Sequence, residues 1–311
     1  MRKATRQRIR RMLRARPRLR LRQKLRIVRR HATRAKRDAF KLGRSLRRAY
    51  RNGRAHFRDL RKRLLSDRMR RQMMMRAHLL RSGGRYRYAG IEVDLPPDAA
   101  LELRYDVARG RYERHERHLI AHHLPLGLPV IELGGSLGLV SAFIGSRLDP
   151  GVPMVIVEAN PALIGYCRAN APRGGGERPI EIVNAALAYG GAAVEFWVHR
   201  NTLGSRLAPE GVSERDKVRV PAVSLAELAA RFAGDYSLVA DIEGAEFDLF
   251  EREREALRRC AFAIVEHHPK VFAEQGRAPE RFMALVAGAG FEVVEERHNC
   301  LVLARKASGR R

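Results

Sequence analysis

The amino-acid sequence predicts a doubly wound α/β domain with a mostly parallel sheet, preceded by a basic extension. Three observations predict this fold class. From residue 130 onward, short apolar runs alternate with segments of helix length, which is typical of parallel strands joined by crossover helices. The first of these runs leads into a glycine-rich turn within Val130–Gly138. Positive charge is concentrated at the amino end, because residues 1–80 hold 32 of the 62 Lys and Arg but only 3 of the 34 Asp and Glu.

The basic extension is predicted to be partly unfolded and partly helical. Residues 1–39 contain no aromatic side chain and too few apolar ones to offset the entropy of ordering, so this segment is predicted to be largely unfolded alone. Apolar side chains then recur at helical spacing over roughly 55–80, which predicts a basic amphipathic helix. The breaker Ser82-Gly83-Gly84 marks the domain boundary. The predicted extension, α/β domain and tail are residues 1–83, 84–307 and 308–311.

The partner of the extension is left open by the sequence. The amphipathic helix can pack on the domain, or it can bind an anionic membrane surface or nucleic acid. For the arginine-dense first fifty residues, some polyanion is the favoured partner. By contrast, residues 81–311 hold 30 basic and 31 acidic side chains, so the predicted domain is close to neutral.

Hydrophobic periodicity predicts the elements of the domain. A small hairpin is predicted at Arg85–Tyr88 and Ile91–Leu95. The predicted strands are Val130–Leu133, Met154–Val157, Ile180–Val183, Ala193–Val198, Val218–Val223, Tyr236–Ala240, Ala261–Val265, Phe291–Glu296 and Cys300–Ala304. Helices are predicted at 110–123, 139–144, 224–232, 246–257 and 279–287. This alternation implies a seven-stranded, Rossmann-like sheet with helices on both faces, and the closing pair of strands predicts an antiparallel edge strand.

The glycine turn, Glu132–Gly138, indicates which kind of nucleotide it suits. Its glycines let a ligand approach the backbone, but their spacing is G-G-x-x-G and not the G-x-G-x-x-G of dinucleotide sites. A pyrophosphate is drawn to a helix N-terminus and repelled by a carboxylate at the same turn. Glu132 therefore favours a ligand that carries ammonium and sulfonium groups, and S-adenosylmethionine is such a ligand.

A second carboxylate follows the next strand, in the stretch Glu158-Ala159-Asn160-Pro161. An acid at the tip of the second strand of a doubly wound fold can accept both ribose hydroxyls. Either glutamate alone is best explained as an exposed strand end. Two acids at successive strand tips, the first with a glycine turn, favour a nucleoside-binding site.

Polar side chains also follow the later strands. The carboxyl ends of parallel strands meet at one edge of a sheet, and the sequence places seven polar residues there: Glu132, Glu158, Asn184, Asp241, Glu243, Glu266 and His268. So many acids at one edge are costly unless a cation or hydrogen bonds compensate them. This cost favours a cationic cofactor, a divalent metal or both, with Asp241, Glu266 and His268 as the candidate metal ligands.

These motifs resemble the FkbM-type methyltransferases, which are class I S-adenosylmethionine-dependent enzymes. The resemblance covers roughly residues 85–305, and its most specific part is Asp241-Ile242-Glu243-Gly244-Ala245-Glu246. It implies that Glu132 and the glycine loop hold the methionine part of the cofactor and that Glu158 holds the ribose, with the adenine bordered by Asn160 and the 184–186 turn. The implied cofactor-binding residues are Glu132, Gly134, Gly135, Ser136, Gly138, Glu158, Ala159, Asn160, Asn184, Ala185 and Ala186.

The resemblance also implies a reaction, the O-methylation of a hydroxyl or carboxyl group on a glycan or secondary metabolite. Asp241 is the preferred base or metal ligand, and Glu266 and His268 are candidates to share the proton transfer. One position departs from the family, which usually has a lysine two residues before this aspartate, where the chain has Val239. Two alternatives remain: an RNA methyltransferase anchored by the basic extension, or a non-catalytic domain whose extension binds a polyanion.

The remaining sequence features bear on compartment. No apolar run approaches the ~20 residues of a membrane-spanning helix, and the first thirty residues lack the apolar region of a secretory signal. The three cysteines fall in apolar segments without a C-x-x-C pair, which predicts buried side chains and a reducing compartment. The predicted location is cytoplasmic, with peripheral attachment to a membrane left open.

Overall fold

The structure is a computed structural model that describes residues 67–197, 206–207 and 217–306. The predicted unfolded segment 1–39, the first part of the predicted helix 55–80 and the predicted tail 308–311 lie outside the described residues. Contacts divide the chain into two units after Arg70, and the α/β domain belongs to the second, Arg71–Arg311.

The described chain begins with helices and a small hairpin. In order these are α1 (Asp67–Ser82), β1 (Tyr86–Tyr88), β2 (Ile91–Val93), α2 (Leu101–Ala108) and α3 (Arg114–His123). The hairpin β1–β2 is antiparallel, as predicted, and turns through Ala89 and Gly90, which both have positive φ. Such a two-residue turn matches the twist of the strands that it joins. Helix α2 was not predicted from the sequence.

The rest of the domain alternates strands and helices. The elements are β3 (Val130–Leu133), α4 (Leu139–Arg147), β4 (Met154–Glu158), α5 (Ile164–Asn170), β5 (Ile180–Asn184), β6 (Ala186–Leu187), β7 (Ala193–Trp197), β8 (Arg206–Leu207), β9 (Lys217–Val223), α6 (Leu225–Ala229), β10 (Tyr236–Ala240), α7 (Glu246–Arg252), α8 (Arg254–Leu257), β11 (Cys260–Glu266), α9 (Pro269–Glu274), α10 (Glu280–Gly288), β12 (Phe291–Arg297) and β13 (Cys300–Arg305). Helix α9 was also missed; it starts at a proline, whose fixed φ suits the first turn of a helix.

A seven-stranded sheet forms the centre of the domain, in the order β12-β13-β11-β10-β3-β4-β5. Neighbouring strands from β11 to β5 are parallel, and β13 is antiparallel to both of its neighbours. The predicted fold class is therefore confirmed, with the antiparallel strand lying just inside the edge strand β12. The order of strands reverses between β3 and β10. In doubly wound folds a ligand binds at such a switch point, beyond the carboxyl ends of the strands.

The two predicted strands at 193–198 and 218–223 lie outside the main sheet. They form β7 and β9 of a separate small sheet in the order β6-β9-β7-β8. This small sheet has its own apolar cluster, which includes Phe196 and Val220. It follows β5 directly, so it lies at the β5 side of the switch point.

The core has two layers, one on each face of the main sheet, because side chains alternate along strands. On β3, Ile131 and Leu133 join an apolar cluster with side chains of α6, α7, α8 and α10, and we name this the α7 face. Val130, two residues before Glu132, joins the opposite cluster with side chains of the hairpin, α2, α3, α4 and α5, which we name the α3 face.

Two further predictions concern buried cysteines and membrane spans. Cys167, Cys260 and Cys300 are all buried free thiols, as predicted. No helix within the described residues is long and apolar enough to cross a membrane.

Candidate active site

Four carboxylates converge at the carboxyl ends of four adjacent strands. Glu132 lies on β3, Glu158 ends β4, Asp241 follows β10 and Glu266 ends β11. The residues two positions earlier on these strands all belong to the cluster on the α3 face. Since side chains alternate, the four carboxylates lie on that same face and line one cleft at the switch point.

The glycine turn closes the β3 side of this cleft, and its glycines are required by packing. A Cβ atom on Gly134, which has φ +95°, would lie 1.9 Å from the backbone oxygen of Asp241. A Cβ atom on Gly135 would lie 2.4 Å from the side chain of Ile156. No side chain can be accommodated at these distances without moving the backbone or a packed strand residue. The glycines therefore bring the turn close to β10 and β4.

Glu158 fixes the turn to the next strand. Its Oε2 accepts a hydrogen bond from the Ser136 backbone N–H at 2.6 Å, and its Oε1 accepts one from the Asn160 backbone N–H at 2.6 Å. Asn184 donates from Nδ2 to the backbone oxygens of Glu158 at 2.8 Å and Ala159 at 3.1 Å. The strand tips of β3, β4 and β5 are thus held together by charged and amide hydrogen bonds, which are stronger when one partner is ionised.

Glu132 differs from Glu158 because its carboxylate is incompletely hydrogen-bonded. The side chain is 2% exposed, and its Oε2 atom has no hydrogen-bond partner among the described residues. Burial raises the pKa of Glu132 to about 8, and the nearby Ser141 hydroxyl opposes this shift. In the sheet register Glu132 is paired with Val239, so the neighbouring strand offers no cation. A cationic group that enters the cleft would supply the missing partner.

His268 is held by a buried carboxylate on the other side of the cleft. Its Nδ1 lies 3.0 Å from Oε1 of Glu246, a side chain that is 0% exposed. Its Nε2 lies 3.5 Å from Asp241 Oδ1 and 3.4 Å from Glu243 Oε2. Burial lowers the pKa of His268, but the hydrogen bond and charge of Glu246, together with Asp241 and Glu243, raise it to about 10. The imidazole is therefore an imidazolium placed among carboxylates.

Glu246 lies in the first turn of α7, but its carboxylate binds the loop before the helix and does not cap the helix. Its carboxylate accepts the backbone N–H groups of Ile242 at 2.9 Å and Gly244 at 2.8 Å. These bonds fix the loop that carries Asp241. The contact with His268, 22 residues later in the chain, is tertiary and leaves no local signal in the sequence.

Sequence reasoning missed three cleft residues that lie at the start of α3: Tyr112, Glu113 and Glu116. Burial raises the pKa of Glu113 to about 7, and the charges of Glu266 and Glu243 add to the shift. Burial, and then the charge of Glu113, raises the pKa of Glu116 well above its usual range. One signal in the sequence could have found Glu116. It lies on the same helix face as Leu119 and Ile120, and this spacing predicts that its side chain is buried.

Backbone strain is concentrated in the same cleft. Among the described residues, five that are not glycine have positive φ, and three of them line the cleft: Glu113 at 41°, Ser136 at 47° and Glu243 at 50°. Each such conformation costs of order 1–3 kcal/mol and persists where the surrounding structure enforces it.

Most of the predicted site residues line the cleft. These are Glu132, Gly134, Gly135, Ser136, Glu158, Ala159, Ala185, Ala186, Asp241, Glu266 and His268. Gly138, Asn160 and Asn184 do not line it. Gly138 caps α4, and the other two hold the strand tips by hydrogen bonds. Phe196 of the small sheet lines the cleft beside Ala185 and was not predicted. Because side chains alternate along a strand, His267 points away from the cleft, and its ring stacks on Phe282 of the α7 face.

Two groups of side chains in the described residues come close enough to hold a metal ion. One comprises Asp241, Glu246 and His268, and the other comprises Glu113, Asp241 and Glu266. Each overlaps the predicted ligand set of Asp241, Glu266 and His268 in two of its three members. That predicted set stays a prediction.

The fold and the cleft define the class of protein first: a doubly wound α/β protein whose glycine turn and acidic strand ends suit a positively charged nucleoside. The methyltransferase FkbM domain matches residues 138–293, half of the chain. The chain therefore belongs to the FkbM methyltransferase family and is an enzyme of the S-adenosylmethionine-dependent methyltransferase class. The resemblance inferred from the motifs is confirmed. No curated protein is significantly similar to the chain in sequence.

Several solved structures share part of the fold. The ribosomal protein L11 methylase from Lactobacillus delbrueckii subsp. bulgaricus is 13% identical over 63% of this chain and 80% of that one, with a TM-score of 0.37. The magnesium protoporphyrin IX methyltransferase from Synechocystis PCC 6803, with bound SAH, is 12% identical over 65% of this chain and 87% of that one, with a TM-score of 0.37. Aeropyrum pernix fibrillarin, in complex with S-adenosyl-L-methionine, is 12% identical over 62% and 74%, with a TM-score of 0.36.

Proposed function

We propose that the chain transfers the methyl group of S-adenosylmethionine to a hydroxyl or carboxyl oxygen of a glycan or secondary metabolite. One observation carries the proposal: the buried carboxylate of Glu132, at the glycine turn, has an oxygen without a hydrogen-bond partner in the described part of the chain, and the neighbouring strand offers no cation. An ammonium group is the partner that this atom lacks. A neutral or anionic nucleotide would leave the charge uncompensated.

The donor side of the cleft is assigned to β3, β4 and β5. Glu132 and the glycine turn hold the methionine part, and Glu158 accepts the ribose hydroxyls. The adenine lies against Ala185, Ala186 and Phe196, which supply an apolar wall. Asn160 and Asn184 do not line the cleft, so their role is to fix the loops that carry the lining residues.

The acceptor side is assigned to Asp241, Glu266 and His268. When bound, S-adenosylmethionine supplies an electrophilic methyl group on a sulfonium. A hydroxyl acceptor would lose its proton when its oxygen takes the methyl group from sulfur, so the chain must supply a base at this side of the cleft. Burial and the charge of Glu266 raise the pKa of Asp241 well above its usual range, so this carboxylate is a suitable base. The His268 imidazolium, held by Glu246, lies 3.5 Å from Asp241 Oδ1 and opposes this rise in pKa.

Calorimetry with S-adenosylmethionine tests the donor side. Glu158→Ala should abolish measurable binding, since it removes the ribose acceptor and two hydrogen bonds of the turn. Asp241→Asn should bind the cofactor as the wild type does, but lose ~10²–10⁴-fold in turnover with any acceptor that the wild type methylates. Glu292→Gln, an exposed carboxylate change on the edge strand β12, is the matched control for charge. Near-wild-type turnover in Asp241→Asn would reject its role as the base.

The charge of residues 1–80 favours one second candidate, methylation of RNA held by the basic extension. Its signature is RNA binding by the full chain that weakens steeply with salt, together with methyl transfer from labelled S-adenosylmethionine to RNA. RNA binding without any binding of S-adenosylmethionine would instead indicate a non-catalytic polyanion-binding protein. Methyl transfer to a glycan or small molecule, with RNA unmodified, supports the main proposal.

A further inference from the structure

The acceptor side of the cleft contains more carboxylates than a methyl donor accounts for. Glu113 precedes α3, Asp241 follows β10 and Glu266 ends β11, so three separate elements each bring one acid to the same place. One oxygen of each lies within 4.8 Å of the oxygens of the other two. All three side chains line the cleft.

A fourth carboxylate, that of Glu116, lines the same cleft as these three. Glu116, one helical turn beyond Glu113 on α3, is 4% exposed and lines the same cleft. It has no hydrogen-bond or ion-pair partner among the described residues. Oδ1 of Asp241 is likewise a buried atom without a hydrogen bond. Unpaired carboxylates in such surroundings are costly unless a cation joins them. The burial of Glu116 is therefore a second observation, independent of the three converging oxygens, that points to a ligand.

His268, the basic side chain that lines the cleft, does not supply the positive charge that these carboxylates lack. His268 is bound through Nδ1 to Glu246, and its Nε2 is directed between Asp241 and Glu243. Its Nδ1 is hydrogen-bonded to Glu246, and no atom of His268 belongs to the group in which the oxygens of Glu113, Asp241 and Glu266 converge. The remaining donors are carboxylate oxygens alone, which suit hard divalent cations such as Mg²⁺, Mn²⁺ and Ca²⁺.

We propose that Glu113, Asp241 and Glu266 bind one hard divalent cation, with the carboxylate of Glu116 completing the charge around it. A divalent ion fits better than an organic ammonium, because four carboxylates line this side of the cleft and a single positive charge leaves most of their negative charge in place. The site differs from the ligand set predicted from the sequence, since Glu113 takes the place of His268.

The role of this ion rests on the proposed function. Placed at the acceptor side, the cation would bind the acceptor hydroxyl oxygen and lower its pKa, so that Asp241 or a neighbouring carboxylate accepts the proton more readily. Binding of the ion itself does not depend on methyl transfer and can be measured alone.

Manganese binding by the full-length chain tests the proposal. The chelator-treated protein should bind one Mn²⁺ per chain with micromolar affinity, measured by the loss of the free-ion EPR signal. Glu113→Gln and Glu266→Gln should each weaken the affinity at least tenfold, and Glu292→Gln should leave it unchanged. Circular dichroism of each variant verifies folding, and the wild-type stoichiometry remains a test even where a variant does not fold.

Calorimetry with S-adenosylmethionine in EDTA separates this proposal from the proposed function. Binding of S-adenosylmethionine without stoichiometric Mn²⁺ overturns the cation site and leaves the methyl-donor site standing. Mn²⁺ binding that Glu113→Gln and Glu266→Gln do not weaken also overturns it. Stabilisation by methylamine or glucosamine, with no Mn²⁺ bound, would overturn it in favour of a cationic acceptor.

Discussion

Glu132→Gln separates the charge of this side chain from its size. The pKa of Glu132 is about 8 in the folded chain, against an ordinary value of 4.5. At pH 7 the folded state therefore holds a proton that the unfolded state has released. A carboxyl with a raised folded pKa stabilises the fold less as pH rises from the unfolded to the folded value. Over the roughly 2.5 pH units from 4.5 to 7, at about 1.36 kcal/mol per unit, the loss is about 3 kcal/mol at most.

The variant should therefore be more stable than the wild type when no ligand is bound. Glutamine brings an amide that also lacks a partner, so we expect a gain of about 1–2 kcal/mol at pH 7. Urea unfolding at about pH 5, 7 and 8 measures it, and the gap should widen as the pH rises. In calorimetry the affinity of the variant for S-adenosylmethionine should fall by about 10–100-fold, since one charge-assisted hydrogen bond is lost.

Glu158→Gln is the matched control, because this glutamate is also buried on the same face. Its two oxygens both accept backbone N–H groups, at 2.6 Å each. An amide nitrogen in place of one oxygen would oppose a donor, so this variant should be destabilised by about 1–3 kcal/mol. The reasoning is refuted if Glu132→Gln loses the same stability as Glu158→Gln at every pH, or if it binds S-adenosylmethionine as tightly as the wild type.

Three further changes test other contacts. Gly134→Ala should lower the free energy of unfolding by more than about 3 kcal/mol, because the new methyl group would lie 1.9 Å from a backbone oxygen. Gly151→Ala, at a glycine with positive φ and open space around it, should cost only about 1–2 kcal/mol in the same urea titration. Glu246→Gln should lower the pKa of His268 from about 10 toward its ordinary range, and an unchanged NMR titration of the imidazole would contradict their pairing. Val239→Lys should place an ammonium beside the β3 glutamate and flatten the pH dependence of unfolding; an unchanged slope would show that the two side chains do not meet.

Local sequence patterns predicted the strands and the acids at their ends because both are local properties. A parallel strand buried on both faces is a short apolar run, and the residue that follows it lies at the carboxyl edge. Glu132, Glu158, Asp241 and Glu266 could therefore be placed at one edge before their neighbours were known. Their common face also follows from alternation, once each strand is in register.

The other cleft residues could not be found in this way, because they reach the cleft through tertiary packing. Glu113 precedes α3 and Glu116 lies on it, and this helix packs against strands that follow it in the sequence. Phe196 comes from a second sheet that the alternating pattern did not separate from the first. The pairing of Glu246 with His268 joins two sequence motifs, and neither motif alone indicates that the other is its partner.

The buried unpaired carboxylates and several strained backbone conformations lie in one cleft, and this common location indicates that they serve ligand binding. Glu132 and Glu116 are buried carboxylates that form no ion pair with another described residue, and Glu113, Ser136 and Glu243 hold strained backbone conformations. Each term opposes folding, while the two apolar layers support it. A cation that binds only the folded state recovers part of this cost and stabilises the chain in proportion to its occupancy. The stability of the domain therefore depends on the ligands of its cleft. This dependence is expected when unpaired carboxylates and strained backbone conformations are retained because they bind a ligand.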